Sequence, residues 1–134
     1  MMVPKNLRYS KEHEWARYDE DAGVVIVGIS DYAQEKIGDI TYVELPEEED
    51  QVEKAKPFAE SEHHKGVEDI YSPITGKIVE VNDVLGDSPE VINEDPYDEG
   101  WLVKIEPDDP AELEELMDSD DYEVYLSELE EEEE

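Results

Sequence analysis

The chain contains no cysteine in its 134 residues. Disulfides, thiolate nucleophiles and zinc–sulfur sites are therefore excluded, and any redox chemistry has to arrive on an attached group. Positive charge is also scarce. Ten lysines and arginines stand against 42 aspartates and glutamates, a formal charge of −32. Such a chain repels phosphate, so neither nucleic acid nor an anionic membrane surface is an expected partner. Basic patches on other proteins would be attracted instead. Most of the acidity reads as adaptation to a saline medium, where screening removes much of the self-repulsion. No apolar run reaches membrane-span length, and MMVPKNLRYS lacks the apolar stretch of a secretory leader. A cytoplasmic location is the expectation.

Against this background one cation is isolated. Lys65 is the only lysine or arginine between Lys56 and Lys77. Strand-like runs bracket it, and Tyr71-Ser-Pro73 with Thr75-Gly76 close the segment, so the lysine reads as the tip of a hairpin near 62–67. An exposed lysine on a firm turn suits covalent attachment, which points to a carrier. No nucleophile–base pair, glycine-rich phosphate loop or Cys/His cluster supports an enzyme, and no catalytic residue is assigned.

The remaining pattern is mainly β in a single domain over 1–129. Residues 5–18 alternate large side chains, Glu20-Asp21-Ala22-Gly23 is a turn, and Val24-Val-Ile-Val-Gly-Ile29 is a β-branched run. Ser30 can cap a short helix running to Ile37, with Gly38 closing it. Further strands are expected over 39–45, 70–71, 76–81 and 100–105, with 82–96 as loop. Asp109-Pro110 opens a helical segment with Leu113, Leu116 and Met117 on one stripe, and a second helix follows from Ser119 or Asp120; together they span about 109–129. The run 130–134 reads as an acidic disordered tail.

His13-Glu14-Trp15, Val27-Gly-Ile29, Tyr32-Ala-Gln34, Ile37-Gly-Asp39-Ile40, Leu45-Pro46, Asp69-Ile-Tyr71, Glu80-Val-Asn82, Pro96-Tyr97 and Gly100-Trp-Leu102 stand in the order and spacing of one family. The chain resembles the H protein of the glycine cleavage system from Arg8 to Leu126. The resemblance implies a barrel-sandwich hybrid of the lipoyl/biotinyl-like kind, with a short internal helix and C-terminal helices, and a monomer. It implies lipoate in amide linkage on the lysine of a Glu-Ser-Val-Lys-Ala motif, which falls on Lys65. A tethered arm raises effective concentration, so cargo passes between active sites without free diffusion. Glu14 and Asp69 take positions that in the family lie near the loaded arm.

The motif itself is altered: this chain has Glu62-His63-His64-Lys65-Gly66. These flanking residues sit where a lipoate-attaching enzyme and the clients must touch. Two glycines usual before the hairpin are replaced by Glu49 and Ala55. The altered flanks tip the expected client toward a heterodisulfide-reductase-like complex, as in the lipoate-binding proteins of sulfur oxidation. The alternative is glycine cleavage, with glycine decarboxylase, aminomethyltransferase and dihydrolipoyl dehydrogenase as partners. A biotin carrier fits less well, because His64 and Gly66 stand where that family has methionines. His63 and His64 are not expected to share a metal, since neighbours on a strand face opposite ways. A role in tuning charge beside the arm is expected for His64 instead.

Overall fold

The computed structural model describes residues 2–133. Among the described residues nine strands form two antiparallel sheets. The larger is ordered β1 (Arg8–Tyr9), β2 (Glu14–Asp19), β3 (Val24–Ile29), β9 (Val103–Pro107), β8 (Gly76–Val81) and β5 (Gln51–Val52). The smaller is β4 (Tyr42–Glu44), β6 (Pro57–His63) and β7 (Gly66–Tyr71). Helix α1 (Asp31–Ile37) links the two in sequence, and α4 (Ser119–Glu133) closes the chain. The expected mainly-β barrel-sandwich architecture is what forms.

β3 explains its own apolar run. Val25, Val27 and Ile29 face a core shared with Ile70, Ile74, Ile78, Leu102 and Ile105. Ile26 faces a second cluster with Leu7, Tyr9, Trp15 and Tyr122. A strand buried on both faces has no polar position to alternate with. Gly28 lies directly opposite Trp15. A Cβ there would sit 2.6 Å from the indole, so glycine is what lets the ring lie flat across β3. On the outer side of this cluster Tyr122 of α4 stacks on Tyr9, centroids 4.4 Å apart. That stacking docks the C-terminal helix onto the sheet.

Helix α1 begins as its sequence dictates: Ser30 Oγ accepts from Ala33 N at 3.2 Å, and Gly38 takes a positive φ of 83°. Three expectations need correction. The stretch 82–96 is not plain loop but holds two single-turn helices, α2 (Val84–Asp87) and α3 (Val91–Glu94), anchored by buried Leu85 and Ile92. Asn93 holds that region to α1, its amide donating to Gly38 O (2.8 Å) and its carbonyl accepting from Ile40 N (3.0 Å). The helix expected from Asp109 is only a 3-10 segment, Pro110–Glu115, capped by Asp109. The acidic run expected to be a disordered tail continues α4 as far as Glu133; Glu134 lies outside the described residues. Once Tyr122 and Leu126 anchor the helix, glutamates propagate it cheaply, since nucleation is already done.

The two turns where the resemblance implies glycine keep a left-handed backbone. Glu49 has φ 79° and Ala55 has φ 66°, a region that costs a side chain about 1–2 kcal/mol. Returning each to glycine relieves that strain against a smaller entropic penalty. Glu49→Gly and Ala55→Gly should each raise stability by about 1 kcal/mol in denaturant unfolding. A loss of stability in either variant would contradict the strain.

Candidate functional site

The hairpin β6–β7 pairs Glu60 with Asp69, Ser61 with Glu68, Glu62 with Val67 and His63 with Gly66. His64 and Lys65 are thus the whole turn. A two-residue hairpin usually needs positive φ within the turn itself. Here the positive φ, 138°, falls on the next residue, Gly66. Glu62, His64 and Lys65 are exposed. Among the described residues no carboxylate pairs with the Lys65 ammonium, despite the acidity around it.

His63 and His64 part company at the tip. His64 is exposed, whereas the His63 side chain is 8% exposed and turned inward. His63 Nδ1 accepts the backbone N–H of Lys65 at 3.2 Å, and Nε2 lies 3.4 Å from Glu68 Oε1 without hydrogen-bond alignment. The histidine with structural consequence is therefore His63, not His64.

A cleft of about 220 Å³ lies between α1 and the hairpin, lined by Glu12, His13, Tyr32, Ala33, Lys36, Ile37, Glu68 and Asp69. His13, at φ 73°, packs its ring 4.5 Å from that of Tyr32. Its Nδ1 is 2.8 Å from Tyr122 Oη, which is 2.7 Å from Ser30 Oγ. Burial pulls His13 down to about 4 and raises Tyr122 above the ordinary phenol value. At neutral pH His13 is thus uncharged, and its Nδ1 is hydrogen-bonded to the Tyr122 hydroxyl. The cleft offers an aromatic wall and an acidic rim of Glu12, Glu68 and Asp69. Lys36 contributes a cation to the same lining.

Asp69 belongs to this cleft; Glu14 does not. Glu14 is 2% exposed and acts as a latch. One carboxyl oxygen takes the Ser10 hydroxyl at 2.6 Å, and the other accepts from Tyr71 N on β7 at 3.3 Å. Burial pushes its pKa up to about 8, with the bonds from Ser10 and Tyr71 acting the other way. Of the cleft residues, the sequence marks only Asp69 for function. His13 and Tyr32 stand inside quoted motifs, but nothing local says that Tyr122, more than a hundred positions away, fixes the His13 ring.

Residues 7–129 match the family model described as Glycine cleavage H-protein. The chain is 51% identical over 130 residues to the glycine cleavage system H protein of Anaeromyxobacter sp. (strain K), covering 97% of this chain and all of the relative. It is 47% identical over 126 residues to that of Halalkalibacterium halodurans, covering 94% and 97%. Among solved structures, the H protein of Mycobacterium marinum superposes with a TM-score of 0.81 at 35% identity, covering 90% of this chain and 95% of that one.

The latch generates a pH dependence. Glu14 rises from 4.5 to about 8 on folding, so its stabilising contribution is complete below 4.5 and is lost as pH climbs to about 8. His13 falls from 6.5 to about 4, so its contribution is lost only as pH drops below 6.5. Between pH 6.5 and 8 Glu14 alone of the two acts, and stability should fall with rising pH at up to about 1.4 kcal/mol per unit. Glu14→Gln should flatten that slope in denaturant unfolding at fixed salt. An unchanged slope in the variant would place the dependence elsewhere.

Proposed function

The chain belongs to the glycine cleavage H-protein family, non-catalytic carrier subunits with lipoate held covalently on a lysine, and we propose that Lys65 is that lysine and glycine cleavage the pathway served. The observation that carries the first part is the placement of Lys65: an exposed lysine at a two-residue turn, its ammonium unpaired by any carboxylate among the described residues. An attaching enzyme has no ion pair to break. The family's partners are glycine decarboxylase, aminomethyltransferase and dihydrolipoyl dehydrogenase, and these are the proposed clients. The heterodisulfide-reductase-like client rested on the residues beside Lys65 alone, and similarity along the whole chain weighs for glycine cleavage instead.

The residues fit the group. Lipoate supplies a dithiolane that can be reduced and loaded; the chain supplies its seat. Lys65 gives up its charge to an amide, and the hairpin fixes where the arm starts. Tyr32 and His13 form a wall for the arm's methylenes. Asp69, with Glu12 and Glu68, offers negative charge to an amine at its end, three carboxylates against the single cation Lys36. Glu14, protonated at neutral pH and buried, holds the hairpin rather than the cargo. Such a carrier would act in the cytoplasm as a monomer; among the described residues no helix is long and apolar enough to cross a membrane.

Protein from its native host should carry about 188 Da of added mass, the increment of a lipoyl amide, and Lys65→Arg should carry none. Absence of that mass from the native protein would refute the attachment site. The loaded protein should accept an aminomethyl group from glycine with glycine decarboxylase. Failure there, with reduction or persulfidation by a sulfur-oxidising complex, would return the client to the other pathway.

A further inference from the structure

A two-residue hairpin leaves the N–H of its second turn residue with no place in the ladder, because pairing ends one residue before the turn and resumes one after it. In this chain that orphan donor belongs to Lys65. The strand neighbour His63 reaches over the turn, and its Nδ1 accepts the Lys65 N–H at 3.2 Å. The bond requires an unprotonated Nδ1, so the ring proton sits on Nε2. Glu68, on the opposite strand, places a carboxylate oxygen 3.4 Å from Nε2. Its charge favours that tautomer and leaves Nδ1 free to accept. The ring is nearly buried although it stands beside an exposed tip, so it is already ordered before any partner arrives.

The residue on the other side of Lys65 pulls the opposite way. Gly66 holds φ 138°, and a Cβ there would meet nothing within 4 Å, so its ladder pairing with His63 is what holds the backbone after the lysine. A lysine followed by a glycine at the edge of the ladder samples more directions than one followed by a packed side chain.

We infer that His63 is a positioning residue for the modification of Lys65: with Glu68 setting its tautomer, it locks the Lys65 backbone in the one turn geometry that the lipoate-attaching enzyme must capture. The inference rests on Lys65 being the attachment site. His63 touches neither the ammonium nor the cofactor; it acts through the main chain. When only a fraction of molecules hold the competent turn, apparent affinity falls by that fraction, while turnover of the bound protein is unchanged.

The discriminating variants exploit the two ring nitrogens. In His63→Asn the shorter amide presents an acceptor at the position of Nδ1; in His63→Gln the longer one reaches the position of Nε2 and cannot close the turn. The unlipoylated full chain, its His63→Asn, His63→Gln and His63→Ala forms, and Lys65→Arg as blank are titrated into a lipoate-attaching enzyme with lipoate and ATP. Incorporation is read by intact mass. His63→Gln and His63→Ala should raise KM for the carrier about five- to tenfold with kcat within twofold, and His63→Asn should return KM to within about twofold of the parent. The Lys65 amide should exchange with solvent about fivefold faster in His63→Gln than in the parent or in His63→Asn. In the parent, nitrogen NMR should find His63 protonated at Nε2 and bare at Nδ1. Equal KM and equal exchange across the parent and its three His63 variants would overturn the proposal, as would His63→Asn behaving like His63→Gln. If the parent itself gains no mass that Lys65→Arg lacks, the attachment site is wrong; the exchange rates and tautomer then judge the turn lock independently.

Discussion

A hairpin can present a residue only if its base does not move, and here the base is held by a buried carboxyl group. Glu14 belongs to β2 of the six-stranded sheet, yet it accepts the N–H of Tyr71 at the root of β7 in the three-stranded sheet. Ser10 saturates its other oxygen. A charged carboxylate so deeply buried would cost several kcal/mol. The environment resolves this by raising the pKa, so that the group is largely neutral where the protein works. A neutral, hydrogen-bonded tie between two sheets depends little on salt, which matters in a chain whose other electrostatics are dominated by repulsion. The same site thus links stability, hairpin placement and pH.

That repulsion has a definite geography. Strand register sets Glu44, Glu60 and Asp69 side by side across β4, β6 and β7, all exposed. Like charges directly opposite one another are unfavourable in a sheet. They are tolerated because the other face of the same strands buries Val43, Ala59 and Ile70 in the main core. Apolar burial sets the fold, and the carboxylates are left on the face where water and ions screen them. The consequence for the tip is that Lys65 projects from acidic strands without an ion pair among the described residues, kept apart by the turn rather than by a lack of anions nearby.

The parts of this structure legible in sequence were those whose cause is local. Val24–Ile29 announces a doubly buried strand, Ser30 a helix cap, and Lys65 a singular cation between two strand-like runs. Illegible were the features whose cause is a distant partner. Val84–Asp87 and Val91–Glu94 are too short to carry periodicity and exist because Leu85 and Ile92 plug into the core. The tail helix extends because tyrosine stacking far upstream anchors its first turns. Glu49 and Ala55 hide a left-handed backbone behind residue types that do not suggest one. The cleft joins the turn before β2, α1 and β7, and its histidine is bonded from α4; no window of sequence contains all four.

The altered tip illustrates how far a local departure should move a functional reading. Three of the five motif residues differ, and on sequence alone that suggested a different client. The geometry divides the three. His64 is exposed and free to meet a partner. His63 is turned inward and bonded to the turn it belongs to, and Gly66 adopts a backbone angle open to it but costly for alanine. Two of the three changes thus belong together as one internal rearrangement: a more permissive backbone after the lysine, and a side chain before it that takes up the freed N–H. A substitution absorbed inside the hairpin takes little part in the outward surface, which Glu62, His64 and Lys65 share with Val67 and Glu68.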